Sequence, residues 1–286
     1  MVIYGTFTNI YNLNKRDCNS SSGHILRDIL SVFMFSLFID MRIVYNETWM
    51  GQKIISKKSF KHHTYTTPFA TPRRYEKKYD KIKVEDKTTM LKKHLEDIDE
   101  DIWIDFKNIS IFPPKEVFEI DEKVFNEQAK PLLRSLYFFD HKLIKDQRAV
   151  IHIRQGDLVN DPEYSNFNID YYQNIVDSLN ELNLNVVIIC ERDNHKMKHI
   201  RNCNLITGSE ENIDRDFNYL ANAKILILSC SSFSLFAGYI NDGIVMYDKR
   251  FDNMRYGLFK GFSKIPNVIQ YNNHNDMKDK LKEKLV

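Results

Sequence analysis

The chain has 286 residues, of which 43% are hydrophobic and 28% charged, and its formal net charge is +2. This length is sufficient for two domains with separate cores, and the composition is that of a soluble globular protein. A net charge so close to zero gives no indication of a nucleic-acid or membrane-surface partner.

The chain shows no targeting or membrane-spanning pattern. Its first residues lack the basic and apolar regions of a signal peptide, and the strongest apolar run, 29–39, is shorter than the ~20 residues of a membrane span. The four cysteines form no CxxC pair, so they predict reduced, buried thiols rather than a disulfide framework or a zinc site. We therefore expect a cytoplasmic protein without a transmembrane segment.

The first predicted helix, over 24–40, follows a Ser-rich loop and precedes a predicted strand at 42–45. Gly23, His24 and Arg27 stand at its N-terminus, where unpaired backbone N–H groups favour an anion. Two interpretations are open for these residues, an anion site and a simple capped helix in an αβ unit.

The segment up to the middle of the chain has a weaker pattern. Residues 50–95 are basic and aromatic with interspersed prolines, and they predict a loop region, either a lid for an acceptor or a solvated connection. The acidic run 97–101 lacks the spacing of a calcium loop, so it predicts an exposed turn and no metal site. A strand is predicted at 102–106 and a helix over 116–145.

After the polar stretch 145–148 the pattern becomes regular, and we place the boundary between an N-terminal domain, 1–147, and a C-terminal domain, 148–286, in this stretch. Short apolar runs alternate with amphipathic segments, which predicts a parallel sheet with right-handed crossovers in a Rossmann-like domain. The predicted strands are 149–153, 186–190, 203–206, 225–228 and 244–247, and the predicted helices are 169–182, 194–201, 214–222, 233–240 and 274–286.

The strand at 149–153 ends in a cluster of functional groups. His152 and Arg154 point the same way from a strand of period two, and Gly156 then allows a sharp turn before Asp157. Such a strand end is typical of the anion-binding edge of an α/β sheet, although a solvated polar turn is the simpler alternative.

A second cluster follows the strand at 225–228. Ser231, Ser232 and Ser234 begin an apolar helix, where hydroxyls, free N–H groups and the positive helix end favour a phosphate. A Ser-rich helix cap is the alternative, but Arg154 from another strand end of the same sheet favours the phosphate. The chain has neither a GxGxxG fingerprint after a strand nor a P-loop.

These segments resemble those of a known family, the α1,2/α1,6-fucosyltransferases and protein O-fucosyltransferases. Residues 152–157, His-Ile-Arg-Gln-Gly-Asp, resemble its HxRRGD motif, and 231–239, Ser-Ser-Phe-Ser-Leu-Phe-Ala-Gly-Tyr, are similar to its S(S/T)FSWWAA(Y/W) segment. Between them, 216–224 resembles its D-x-x-x-(L/M)-x-x-(A/C)-(D/K) helix. Order and spacing agree over 149–247, whereas Gly23 and the helix after it resemble the family's G-x-G-N-Q entry without the Asn-Gln pair.

The resemblance implies a GT-B-like α/β fold with two Rossmann-like domains facing a cleft, the acceptor on the N-terminal domain and the nucleotide sugar on the C-terminal one. It implies an inverting glycosyltransferase that needs no metal ion or other cofactor and acts on a nucleotide-sugar donor and a glycan acceptor. The implied sugar-donor site comprises His152, Arg154, Gly156, Asp216, Ser231, Ser232, Phe233 and Ser234, with Gly23, His24 and Arg27 from the first helix.

Individual roles follow from the same resemblance. Arg154 would neutralise the β-phosphate, and Ser232 and Ser234 would hold the diphosphate with nearby N–H groups. His152 and Asp216 would contact the nucleoside, Asp216 through guanine N–H groups. Asp157 would either orient Arg154 or deprotonate the acceptor hydroxyl, and an N-terminal carboxylate is an equal candidate for that base.

The chain departs from the family pattern at Gln155, where many relatives have a second arginine, and more mildly at Phe236 in place of tryptophan. We expect GDP-fucose as the sugar donor. The alternatives are another nucleotide sugar, such as UDP- or GDP-linked xylose or a deoxyhexose, and a non-catalytic module that binds a nucleotide or a glycan.

Overall fold

The computed structural model describes residues 3–7, 41–43, 73–75, 102–106, 127, 130–131, 134, 146–154, 162–164, 167–190, 197–207, 213–254, 259 and 261–285. The chain divides into two compact units, Met1–Lys142 and Leu143–Val286. The polar stretch 145–148, in which we placed the domain boundary, is largely part of a strand that begins at Asp146. The hydrophobic pattern did not indicate the first part of this strand, because its polar residues precede the buried, apolar centre.

The first unit contains a parallel sheet of four short strands in the order β2-β1-β4-β3. The strands are β1 Ile3–Phe7, β2 Met41–Ile43, β3 Arg73–Tyr75 and β4 Ile102–Phe106. β4 confirms the predicted strand, and β2 begins slightly earlier than predicted. β3 shows that the prediction of a loop over 50–95 was wrong at 73–75. Two of its three residues are arginines, which suit an edge strand and give no apolar pattern. The predicted helix over 24–40 lies outside the described residues, as does nearly all of that over 116–145.

The second unit contains a six-stranded parallel sheet in the order β10-β9-β8-β5-β6-β7. Its strands are β5 Asp146–Ile153, β6 Val186–Cys190, β7 Asn204–Thr207, β8 Ala223–Ile227, β9 Ile244–Asp248 and β10 Val268–Tyr271. The central strands are almost continuously apolar and buried, as strands covered on both faces must be. The pattern missed β10, because this short edge strand is only partly buried.

In the described part of this unit four helices cover the sheet, α1 Ile169–Asn180, α2 Ile213–Asn222, α3 Ser232–Ile240 and α4 His274–Leu285. Right-handed crossovers place α1 on one face and α2 and α3 on the other, because the chain reverses its direction across the sheet after β7. The contacts agree, since α1 packs against α4 and α2 against α3. Of the predicted helix over 194–201, the structure describes 197–201, which contain a 3-10 turn, Met197–His199.

The alternation of strands and helices predicted from the sequence is therefore confirmed, and this unit is Rossmann-like. An aromatic cluster fills one end of its core, with Tyr239, Tyr247, Phe259 and Phe262 all fully buried. The Tyr239 and Phe262 rings meet edge to face at 4.9 Å between centroids, the preferred geometry of such pairs. No helix in the described part of the chain is long and apolar enough to cross a membrane.

Candidate functional site

The carboxyl ends of β5 and β8 lie side by side at the centre of the six-stranded sheet. The chain leaves β5 toward α1 on one face and leaves β8 toward α3 on the other face. Such a divergence leaves a crevice at the carboxyl edge of an open α/β sheet, which is where these sheets usually bind ligands. Both motifs singled out in the sequence end at this position.

His152 is the last inward-facing polar residue of β5 and is only 6% exposed. Its Nδ1 lies 2.6 Å from Oγ of Ser229, just beyond the end of β8. The Phe233 ring packs beside the imidazole, with 5.7 Å between centroids. Burial, together with the charge of Arg154, lowers the pKa of His152 to about 3, so the ring is neutral near physiological pH.

Arg154 follows β5 directly and is half-buried at the same strand end. Its positive charge contributes, after burial, to the lowered pKa of His152. A guanidinium keeps its charge in such a place and has a planar donor geometry that suits phosphate oxygens. The end of β5 therefore presents a neutral imidazole and a fixed cation.

The Ser-rich turn between β8 and α3 caps the helix. Ser231 is the N-cap, and its Oγ accepts a hydrogen bond from the Phe233 N–H at 3.2 Å. Ser234 is fully buried, and its hydroxyl donates to the carbonyl oxygens of Ser229 at 2.9 Å and Ser231 at 3.2 Å. These two hydroxyls stabilise the turn, so a contact of Ser234 with a diphosphate would have to come from its backbone N–H.

Ser232 occupies the first position of α3 and is 8% exposed. Its hydroxyl makes no hydrogen bond to the residues that the structure describes. The first-turn N–H groups of a helix have no intrahelical partners, and the helix dipole adds positive potential there. The turn thus offers one hydroxyl and several N–H groups to an anion, after the strand that pairs with β5.

Asp216 lies near the start of α2, at the same edge of the sheet, and is 6% exposed. Arg215 donates to its Oδ1 from Nε at 3.0 Å and from Nη2 at 2.8 Å. Burial raises the pKa of Asp216, whereas the contact with Arg215 acts in the opposite direction. Within the described residues Oδ2 accepts no hydrogen bond, so it can receive N–H groups of a ligand.

Contacts between aromatic rings connect α2 with α3. The Phe233 ring meets that of Phe217 edge to face at 5.3 Å, and Phe217 contacts Phe236 at 5.6 Å. The helix that carries Asp216 is thereby packed against the helix whose N-terminus faces His152. The structure brings together His152, Arg154, Asp216 and Ser231 to Ser234; Gly23, His24, Arg27, Gly156 and Asp157 lie outside the described residues.

Two residues near the crevice were not singled out from the sequence. Ser229 contacts His152 as described, and the Tyr164 hydroxyl donates to the carbonyl oxygen of Cys230 at 2.9 Å. Ser229 belongs to the same Ser-rich run as the second motif, which is a signal that could have been used. No local sequence pattern marks Tyr164, because its hydrogen-bond partner is 66 positions away.

An ion pair at the end of β9, between a buried carboxylate and an exposed guanidinium, contacts the first turn of α1. Asp248 is completely buried and accepts from Nη2 of Arg250 at 2.7 Å and from the Tyr171 hydroxyl at 3.0 Å. The Arg250 guanidinium also stacks 4.4 Å above the centre of the Phe167 ring. Since Tyr171 lies in the first turn of α1, these contacts connect the start of that helix to the end of β9.

Several solved glycosyltransferases resemble the chain at low identity. The E. coli heptosyltransferase WaaC with ADP is 11% identical, with 100% of this chain and 99% of that chain covered and a TM-score of 0.43. POFUT1 in complex with GDP is 13% identical, with coverages of 85% and 98% and a TM-score of 0.46. The calicheamicin glycosyltransferase CalG4 is 8% identical, with coverages of 98% and 89% and a TM-score of 0.38. The curated proteins contain no match.

A family profile gives the assignment. The profile of glycosyl transferase family 11 matches residues 53–256, well over half of the chain, and includes both clusters of the β5 and β8 strand ends. This confirms the resemblance drawn from the motifs. The chain therefore belongs to glycosyl transferase family 11 and is a fucosyltransferase-like glycosyltransferase.

Proposed function

We propose that this glycosyltransferase transfers L-fucose from GDP-fucose to a hydroxyl of a glycan, with inversion at the anomeric carbon and without a metal ion. The observation that carries the proposal is the contact of His152, in the strand that Arg154 directly follows, with Ser229 in the Ser-rich turn that caps α3. A cation and a helix N-terminus side by side match the two adjacent negative charges of a nucleoside diphosphate.

The same pair supports catalysis as well as binding. When the bond between the sugar and the β-phosphate breaks, its electron pair passes to the phosphate oxygen, and the negative charge of the leaving diphosphate grows. Arg154 is held by the end of a buried strand, so its charge is in place before the reaction begins. Such fixed positive charge stabilises the transition state more than the ground state.

Asp216 favours guanine among the bases. Its Oδ2 is available while Oδ1 is held by Arg215, so the carboxylate can accept from the adjacent N1–H and 2-amino groups of guanine. Uracil and adenine do not present that pair of donors. The neutral imidazole of His152 completes the nucleoside side of the crevice.

Inversion requires a base that removes the proton of the acceptor hydroxyl on the face opposite the leaving diphosphate. Asp157, directly after the β5 strand end, is one candidate, and a carboxylate of the N-terminal unit is the other. We assign acceptor binding to that unit, since the described nucleotide-binding features all belong to the second unit.

A nucleotide screen with a charge-deleting variant tests the proposal. We expect GDP and GDP-fucose to raise the Tm of the wild type more than UDP or ADP, because a ligand that binds the native state stabilises it. Arg154→Ala is expected to retain the ligand-free Tm and to lose transfer by about 100-fold or more. Arg201→Ala, which removes an exposed arginine away from the crevice, is the matched control and should leave both unchanged.

Three outcomes would contradict parts of the proposal. Full transfer activity of Arg154→Ala would remove its central role in stabilising the leaving diphosphate. Stabilisation by UDP but not by GDP would overturn the choice of base. Binding of GDP without transfer from any nucleotide sugar would indicate a non-catalytic binding module.

A further inference from the structure

The contact between His152 and Ser229 joins the two motifs directly, from β5 to the turn after β8. Its length, 2.6 Å between Nδ1 and Oγ, is that of a strong hydrogen bond. Within the described part of the chain, the imidazole makes no other hydrogen bond. Ser229 therefore holds the ring by Nδ1, while the packing of Phe233 limits its rotation and Nε2 remains for a ligand.

The ring can act on a ligand in one of two opposite ways. It is neutral, because burial and the charge of Arg154 lower the pKa of His152 to about 3. A neutral imidazole has one N–H donor and one acceptor nitrogen, and the hydrogen bond at one nitrogen decides the role of the other. The partner at Nδ1 thus determines whether Nε2 donates to a ligand or accepts from it.

Ser229 resolves this choice because its own proton needs an acceptor. The residue is 2% exposed, and Nδ1 of His152 is the acceptor that its hydroxyl reaches among the described residues. If Nδ1 carried the ring proton, the Ser229 hydroxyl hydrogen would be buried without an acceptor, which folded proteins rarely tolerate. The Ser229 hydroxyl accordingly donates and Nδ1 accepts.

We propose that Ser229 is a positioning residue, which donates its hydroxyl proton to Nδ1 of His152 and so makes Nε2–H a hydrogen-bond donor toward an oxygen of the nucleoside diphosphate. This inference rests on the proposed function for the identity of the ligand. Ser229 itself does not touch the nucleotide, since its hydroxyl is occupied by the ring. It acts through His152 alone.

The hydrogen bonds that the Ser229 carbonyl accepts support this arrangement. The Ser229 carbonyl accepts from the Ser231 N–H at 2.8 Å and from the Ser234 hydroxyl at 2.9 Å. Ser229 is therefore fixed on its backbone side by the turn that caps α3. A side chain on so constrained a backbone can hold a ring in one orientation, as a supporting residue of a binding site must.

The tautomer can be measured without any ligand. In protein labelled with ¹⁵N-histidine, we expect the His152 resonances, assigned by their loss in His152→Gln, to show an unprotonated Nδ1 and a protonated Nε2 near neutral pH. In Ser229→Ala, we expect the Nδ1 resonance to shift as both tautomers become populated. A protonated Nδ1 in the wild type would overturn the inference, whatever the enzyme's substrate.

Nucleotide affinity provides the second measurement. We expect Ser229→Ala to raise the Kd for GDP about tenfold by calorimetry, because the Nε2–H donor is no longer fixed. Ser178→Ala removes another buried serine hydroxyl, on α1, and should leave the Kd unchanged. An unchanged Kd in Ser229→Ala would overturn the positioning role. If the wild type bound no nucleotide, the proposed function would fail, and the tautomer measurement would still decide the role of Ser229 within the fold.

Discussion

In the proposed function, single buried polar groups determine what the crevice between β5 and β8 recognises. His152 lies in β5 and Arg154 directly follows that strand, yet burial keeps the imidazole neutral whereas a guanidinium is a permanent cation. Asp216 illustrates the same effect for an acid, since burial raises its pKa while Arg215 keeps one oxygen engaged. Recognition therefore depends on how each group is desolvated, which its residue type alone does not specify.

Asp216→Asn should remove the proposed preference for guanine. An amide offers one carbonyl oxygen and an NH₂ group in place of the carboxylate, so it cannot accept two N–H groups with full strength. We expect the wild type to bind GDP about tenfold or more tightly than inosine diphosphate, which lacks the 2-amino group, and the substitution to reduce that ratio toward one. Calorimetric titration with both nucleotides measures the two Kd values.

Asp170→Asn is the matched control, because this carboxylate is exposed at the start of α1. It should leave both affinities unchanged. An Asp216→Asn enzyme that still preferred GDP over inosine diphosphate to the full wild-type extent would show that another residue reads the 2-amino group.

At this scale the sequence indicated the chemistry but not the contacts. His152, Arg154 and Ser231 could be predicted because strand period and helix capping are local rules. The internal role of the Ser234 hydroxyl could not, since its acceptors are set by the shape of the turn. Ser229 was missed because its partner is 77 positions away, and only the pairing of β5 with β8 brings them together.

The helix α3 connects the core to the site, because its N-terminus is held by the Ser-rich turn and its body is almost entirely buried. The close packing of α3 leaves no space for a side chain at Gly238. A Cβ added there would lie 2.9 Å from Cζ of Phe262 and 3.3 Å from side-chain atoms of Leu228 and Val245. Phe262 cannot move freely, since the Tyr239 ring packs against it.

Gly238→Ala should therefore destabilise the protein, although alanine favours helix formation. We expect a loss of about 1–3 kcal/mol in the free energy of unfolding, the usual effect of overpacking a core. The loss should be smaller when the same change is made in a Phe262→Leu background, because the shorter side chain vacates the position of Cζ. Urea titrations of the four proteins in this cycle measure the coupling. Equal losses in both backgrounds would contradict the contact.

The elements that the sequence predicted well are those with strong local patterns. The alternation of apolar strands and amphipathic helices after 148 defined most of the second unit, because strands buried on both faces must be continuously apolar. The missed strands are β1, β3 and β10. β3 and β10 lie at sheet edges, where one side is open and the pattern is weak, whereas β1 is an inner strand whose short sequence includes Gly5 and Thr6. β5 was predicted too short because its first residues are polar.

Across the whole chain, the family match over 53–256 spans parts of both units, whereas the described site features lie in the second. The groups to which the proposed function assigns the nucleotide sugar therefore belong to one unit. Attack by an acceptor also needs a base and a binding surface, and the proposed function assigns that surface to the first unit. On that proposal, the second unit alone would retain the groups that hold the nucleotide without those that select the acceptor.

The burial of His152 also has a consequence for the stability of the whole molecule. The folded-state pKa is about 3, below the value of 6.5 for a free histidine, so below pH 6.5 the unfolded chain takes up a proton that the folded protein does not. Stability is therefore lost as the pH falls from 6.5 toward 3. By pH 5 this single group costs about 2 kcal/mol relative to pH 7.5.

Replacing the histidine isolates this contribution. Between pH 7.5 and pH 5, we expect the wild type to lose about 2 kcal/mol more free energy of unfolding than His152→Gln, because glutamine takes up no proton in this range. Urea titrations followed by circular dichroism at several pH values provide the comparison. His199→Gln, which replaces an exposed histidine, should follow the wild-type curve. Parallel pH curves for the wild type and His152→Gln would mean that the imidazole becomes protonated in the folded protein, and the crevice would then carry a second cation next to Arg154.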